Sequence, residues 1–410
     1  MYSRALAAVV VLAVSGVVAA EDWPGWRGPR ADGTVKDSGY PLTWSAKENV
    51  KWKLPLPGSG HSSPVVSKGK VFVAGCVEAD KARVLYCADR ATGKLLWEKS
   101  AVVSELEKKH GENSWASSTP ACDGERVYVT FLDKPRLRVF CFDYDGKPVW
   151  EKTPGEFHSQ HGFSSPPMLY GDLVIVNGDQ DAPKSQTAYI VAFDKRTGEE
   201  KWRIDRPNKL RSYCPPVVVD AAGKKQLVLT GSKCVTSYDP DTGKQLWIVD
   251  GPTEQFVSSV VLHDGVLLLT AGFPQKWVMA IKPDGSGNVT KTHVLWSKQG
   301  EGGYVPSPVA HGGKMFLVDD SGQASCWDVK TGKRVWKERL SAKPHHASAV
   351  AADGRVYLTS DEGVTFVLKA SDGFEILAKN PLGEPVFASP AFSDGDIFLR
   401  GAKHLWCIGK

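Results

Sequence analysis

One element recurs eight times along the chain, and this repetition constrains the fold more than any other feature. A clear copy runs from Ser62 to Lys99. It opens Ser62-Ser63-Pro64-Val65-Val66, turns at Lys68-Gly69, and continues into Lys70 to Gly75, a run dense in β-branched and aromatic residues. Val84 to Asp89 reads as a third strand, Thr92-Gly93-Lys94 as a tight turn, and Leu95 to Glu98 as a fourth strand. Four short strands joined by turns make one antiparallel blade, and a period of roughly 40 to 55 residues is that of a propeller.

The opening triplet returns at Ser118-Thr119-Pro120, Ser164-Ser165-Pro166, Cys214-Pro215-Pro216, Ser258-Ser259-Val260, Pro306-Ser307-Pro308, Ala347-Ser348-Ala349 and Ala388-Ser389-Pro390. The fourth strand carries a tryptophan at Trp97, Trp150, Trp202, Trp247, Trp296 and Trp336, with Ile376 in the seventh slot. The fifth copy is looser, with Asp284 to Gly287 where the turn should be. The eighth copy stops after its third strand, Leu405 to Ile408. Asn49 to Lys53, which holds Trp52, has the character of the missing fourth strand. The expectation is an all-β, eight-bladed β-propeller over residues 49–410, closed by the N-terminal strand completing the last blade, an arrangement that removes exposed sheet edges.

Hydrophobic residues make up 42% and charged residues 24%, enough for a buried core and too apolar for general disorder. The net charge of +5 is dispersed, with no basic cluster, which argues against a nucleic-acid partner. Arg4, the apolar stretch Ala5 to Val18, and the small residues Val18-Ala19-Ala20 predict a cleaved signal peptide over residues 1–20. Residues 21–48 form an N-terminal extension. The protein is expected to be exported, periplasmic or extracellular, monomeric, and without a membrane span in its mature chain.

The tryptophans, Trp52 among them, fall once per blade after the same turn, so a structural role is expected for all seven. Cys87, Cys141, Cys326 and Cys407 share one position of the third strand, where other copies place Ala192, Ser237, Ala280 and Val367. A small apolar site explains these four as free thiols. Cys76 is within reach of Cys87 across a hairpin and Cys214 of Cys234 within a blade, while Cys122 has no evident partner.

The repeat typified by Leu85 to Glu98 resembles the pyrroloquinoline-quinone (PQQ)-type propeller repeat over nearly the whole mature chain, and Asp22 to Pro29 resembles the head of an exported bacterial subgroup. The resemblance implies eight blades and one of two functional branches. Quinoprotein dehydrogenases stack their quinone between a tryptophan and a disulfide of adjacent cysteines, hold a calcium or lanthanide ion, and use an aspartate base. No Cys-Cys dipeptide occurs here. The second, BamB-like branch is non-catalytic. The expected function is therefore an interaction scaffold or small-ligand-binding module with an unidentified protein or small-molecule partner and no cofactor. A PQQ-dependent alcohol or sugar oxidoreductase is the alternative.

The segments preceding the first strands should converge on the central axis at one face. They supply the candidate funnel residues His61, Trp115, His161, Phe163, Arg211, Tyr213, Phe256, Tyr304, His345, His346 and Phe387. His158 and His161, three apart, have ligand-like spacing and support a third reading, a histidine-based metal site. No Gly-x-Ser-x-Gly elbow or phosphate-cradling loop is present.

Overall fold

A strand sandwiched between two blades buries both of its faces, whereas an outermost strand buries alternate residues. The computed structural model, which describes residues 21–183 and 186–410, shows this gradient within each blade. In blade 1 the second strand, Lys70–Val77, is buried almost throughout, while the fourth, Leu95–Val103, alternates along most of its length. Eight sheets, each with four antiparallel strands, form in chain order. The first joins Val65–Ser67, Lys70–Val77, Ala82–Asp89 and Leu95–Val103. The last joins Ala391–Ser393, Asp396–Arg400 and His404–Ile408 to Val50–Pro55, so the N-terminal strand does complete the eighth blade. The signal-peptide reading falls on residues 1–20, outside the described residues.

Register explains the repeated residues. Cys87, Cys141, Ala192, Ser237, Ala280, Cys326 and Cys407 lie directly opposite Trp97, Trp150, Trp202, Trp247, Trp296, Trp336 and Trp52. A small side chain leaves room for the cross-strand indole. In blade 7 the pair is Val367 opposite Ala378. The seventh tryptophan slot is thus Ala378, two residues beyond Ile376, which pairs with Leu368. Each of the eight pairings shifts register beside this position, and such a bulge sharpens the local twist.

Most of the indoles reach the next blade. Nε1 of Trp97 donates to the Tyr144 carbonyl at 3.0 Å, that of Trp150 to Lys195 at 3.0 Å, Trp202 to Pro240 at 3.1 Å and Trp296 to Val329 at 2.9 Å. The turn glycine of the receiving blade packs on the same ring: a Cβ on Gly146 would sit 2.8 Å from Trp97. At the axis the serine triplets do a parallel job. The backbone N–H groups of Ser259, Ser307, Ser348 and Ser389 donate to the hydroxyls of Ser307, Ser348, Ser389 and Ser63 at 2.9–3.0 Å, linking blades 5 to 8 and back to blade 1.

Three local findings differ from or extend the sequence reading. Gly287–Asn288, in the looser fifth copy, lies parallel to the outer strand of blade 4 as a fifth strand of that sheet. All eight cysteines are buried free thiols; Cys76 stands opposite Arg83 and Cys87 opposite Phe72. The N-terminal extension crosses the ring. Trp23 bridges Val66 of blade 1, the Pro24 carbonyl accepts from Cys122 of blade 2, and Thr34 bridges Ala351 of blade 7. Beyond that crossing, Tyr40 and Trp44 pack on Phe392 and Tyr357 over blades 7 and 8.

Candidate functional site

The segments before the first strands enclose an axial cavity of about 770 Å³, and all eight blades contribute to its wall. The crossing extension contributes to this wall. Trp26 lines the cavity and donates through Nε1 to the Ser259 hydroxyl at 3.4 Å, while the buried Arg27 guanidinium bonds the Ser307 and Pro308 carbonyls of blade 6.

Of the sequence candidates, His61, His161, Arg211, Tyr213, Tyr304, His346 and Phe387 line this cavity. The other four do not. Trp115 bonds the Glu107 carbonyl and lies beneath the Lys109 ammonium. Phe163 is buried edge-on against Phe157, and Phe256 is buried in the core shared by blades 4 and 5. His345 is fully buried near Phe366, its Nδ1 3.1 Å from the Lys343 carbonyl. For Phe256 and His345 the reason is alternation: in Gln255-Phe256 and His345-His346 one side chain faces the axis and its neighbour turns into the sheets.

Sequence reasoning missed Trp26, His110, Glu112, Lys276 and Asp320. Trp26 belongs to the extension, and the others sit on loops outside the repeated triplet, where periodicity carries no information. The aromatic content of Asp22 to Pro29 was the available clue for Trp26.

The polar groups of the wall are largely fixed. The His61 ring stacks on Phe387 at 4.5 Å, and burial, reinforced by the nearby Lys109, His346 and Arg400 charges, pulls its pKa down to about 4. His161 is lowered by burial and by the Arg211 charge. Burial also opposes protonation of His346, but Nδ1 lies 2.6 Å from Asp361 and Nε2 3.8 Å from Glu112, and the carboxylates prevail, so its pKa is raised. Arg211 is held by Asp181 at 2.9 Å. Asp320 accepts from the Tyr304 and Val305 N–H groups at 2.8 and 2.9 Å and pairs with Lys276 at 3.1 Å. The Tyr304 hydroxyl donates to Gln255 at 3.0 Å, and burial raises its pKa to about 12. The wall thus presents fixed aromatic faces with a rim of paired charges.

This wall does not match the parts of a quinone site. No cysteine lines it, and of its two carboxylates Asp320 is already occupied by backbone N–H groups and Lys276. For a metal, His158 pairs with Glu156 at 2.9 Å, while the His161 ring packs against His110 and Tyr213. Among the described residues no group of three His, Cys, Asp or Glu is gathered at ligand distance. No helix among them is long and apolar enough to cross a membrane.

Comparison with known proteins locates the chain among its relatives. A family profile described as outer membrane protein assembly factor BamB matches residues 80–338. Tetrathionate hydrolase of Acidithiobacillus ferrooxidans is 23% identical over 65% of this chain and 51% of its own length. BamB of Burkholderia pseudomallei is 22% identical over 59% of this chain and 51% of its own. The chain therefore spans about half the length of these two curated relatives. Among solved structures, quinohemoprotein alcohol dehydrogenase from Comamonas testosteroni superposes with a TM-score of 0.69 at 14% identity, over 95% of this chain and 81% of that one, a likeness of fold.

Proposed function

We propose a binding function from one premise: the chain belongs to the PQQ-like β-propeller family whose profile is described as outer membrane protein assembly factor BamB. It is an exported, non-catalytic module that seats a compact aromatic or apolar group, carried by a small ligand or by a partner's loop, in the axial funnel. The observation that carries this reading is the axial cavity itself, lined by Trp26 of the extension and by all eight blades. Its volume of about 770 Å³ falls within the range typical of small-ligand sites, roughly 300–1,000 Å³. Tyr213, Tyr304 and Phe387 offer rigid apolar faces, and the paired charges around them supply orientation.

The test uses two probes on the purified protein. Anilinonaphthalene sulfonate, a compact aromatic anion, should bind saturably at one site, and Tyr304→Ala or Phe387→Ala should weaken it about tenfold, the effect of losing one aromatic contact. Pyrroloquinoline quinone with calcium should give neither stoichiometric binding nor alcohol-dependent dye reduction. Stoichiometric quinone uptake with dye reduction, or dye binding unaffected by both substitutions, would overturn the reading.

A further inference from the structure

Registers around the ring identify one position whose side chain points from each blade toward the next. It is the second residue beyond the one facing the small third-strand site: Ala74, Thr130, Asn177, Thr230, Thr270, Val318, Thr359 and Arg400 in blades 1 to 8. In blades 2 to 5 this threonine or asparagine bonds the wall of the next blade, whereas Thr359 of blade 7 bonds Thr365 of its own sheet. Asn177 donates to the Cys214 carbonyl at 3.0 Å, Thr230 to Ser258 at 3.1 Å and Thr270 to Gly303 at 2.8 Å.

Arg400 breaks this pattern. Its side chain enters the seam between blades 8 and 1, where a Cβ on Gly60 would lie 3.4 Å from its terminal nitrogen. The residue is 1% exposed, and no protein group among those described bonds its Nε or either terminal nitrogen. Tyr86 and Glu384, the side chains whose charges act on it, make their hydrogen bonds to other groups. The Tyr86 hydroxyl donates to the Pro57 carbonyl at 3.0 Å, and Glu384 takes the Trp406 indole, the Lys403 N–H at 2.9 Å and His404 at 3.2 Å. Burial drives the Arg400 pKa down to about 10, which leaves the group charged at neutral pH. A charged guanidinium buried with none of its five N–H groups satisfied is strongly unfavourable, and proteins resolve such a charge by pairing it.

We propose that Arg400 anchors a site for a small monovalent anion, a halide or a short carboxylate, buried between blades 8 and 1 behind His61. The site is distinct from the funnel and stands whether or not the funnel takes a ligand. The anion joins the first and last blades at the closure seam, where Arg400 belongs to one blade and the Gly60-His61 segment to the other.

Two measurements on the full chain decide it. In a crystal soaked in bromide, anomalous scattering should place a bromide within hydrogen-bonding reach of the Arg400 guanidinium. Waters alone at that position would overturn the proposal. In solution, the melting temperature should rise by about 1–2 °C per tenfold increase in chloride over a bulky sulfonate at equal ionic strength, as expected for one site in a chain of this size. Arg400→Thr, which installs the residue of blades 2, 4, 5 and 7, should abolish that dependence; an equal dependence in the variant would also overturn the proposal. Should the variant fail to fold, the bromide position in the unaltered protein remains decisive.

Discussion

The indole Nε1 of Trp52 donates a 2.8 Å hydrogen bond to the carbonyl of Arg90, tying the outer strand of the last blade to the turn of the first. Elsewhere in the ring the same contact joins blades that are consecutive in sequence. Here it joins the start of the fold to its end, reinforced at the axis by the Ser389 N–H on the Ser63 hydroxyl at 3.0 Å. Nothing covalent holds this seam.

Trp52→Ala should accordingly lower stability by about 3–5 kcal/mol, the range for deleting a large buried aromatic. Trp336 is less buried and its Nε1 is 3.5 Å from the Ser371 carbonyl, so Trp336→Ala should cost at least about 1 kcal/mol less. Deleting Asn49 to Lys53 removes most of the strand, Trp52 included, and should lower the melting temperature further than either substitution. Denaturant midpoints read all three; equal losses for the two alanine variants would refute the seam argument.

The turn glycines allow a sharper comparison. Gly93 and Gly69 both have positive φ, +70° and +76°. A Cβ on Gly93 would lie 2.5 Å from the Trp52 ring, whereas one on Gly69 would meet nothing within 4 Å. Gly69→Ala should therefore cost only the left-handed backbone strain, about 1–2 kcal/mol. Gly93→Ala should add overpacking of about 1–3 kcal/mol as the indole is pushed off its seat. Were the two substitutions equally disruptive, the glycine would be a requirement of the turn alone and not of blade docking.

Much of this ring is legible in the sequence because each contact is repeated. The Thr-Gly-Lys turn, the tryptophan and its small partner recur together since each blade must solve the same docking problem, and the serine triplets recur because each hydroxyl caps an N–H of the blade before it. The eighth blade's missing strand could be found for the same reason. What occurs once could not be read this way. Trp26 lines the funnel from a segment outside the repeat, and Arg400 occupies a slot that is threonine in four other blades. Single-residue alternation also misplaced Phe256 and His345: a wall position and a core position are adjacent in sequence, and composition does not distinguish them. Ile376 is not the seventh tryptophan slot because the turn of blade 7 is longer: Val367 and its partner Ala378 lie further apart in sequence than Cys87 and Trp97 do, which counting from the turn does not reveal.

The funnel histidines should impose opposite pH slopes. His61 has a folded pKa near 4, against 6.5 in the unfolded chain. Between those values the unfolded chain holds the extra proton, so acidification over this window destabilises the fold. His346 has a raised folded pKa, so the stability it contributes is present in full below 6.5 and is lost as pH rises through the folded value. His61→Asn should flatten the acid limb of the stability profile and His346→Asn the limb above 6.5. Imidazole NMR titrations in which both residues follow the ordinary value would contradict the environments described.

Blade 4 offers the most demanding test of the docking rule, because its tryptophan has lost its receiving carbonyl. The turn of blade 5 is displaced, and Gly287 lies beside Trp247 as part of an added parallel strand. Gln226 substitutes for the missing acceptor. Its Oε1 accepts from Trp247 Nε1 and from the Ser237 hydroxyl, each at 2.8 Å, and its Nε2 donates to the Ala221 carbonyl at 3.0 Å and to Pro283 of blade 5 at 2.8 Å. The side chain is fully buried, with all of its hydrogen-bonding capacity used. Gln226→Leu should cost about 2–4 kcal/mol, since it leaves the indole, the hydroxyl and the Pro283 carbonyl without partners. Gln226→Glu should be at least as harmful, because a carboxylate cannot donate to the two carbonyls. In a double-mutant cycle with a Trp247 variant that lacks the indole N–H, Trp247→Phe, the coupling should be about 1 kcal/mol or more. Additive effects would mean that Trp247 is held by packing alone, and that the hydrogen bond between neighbouring blades is dispensable wherever the ring departs from its repeat.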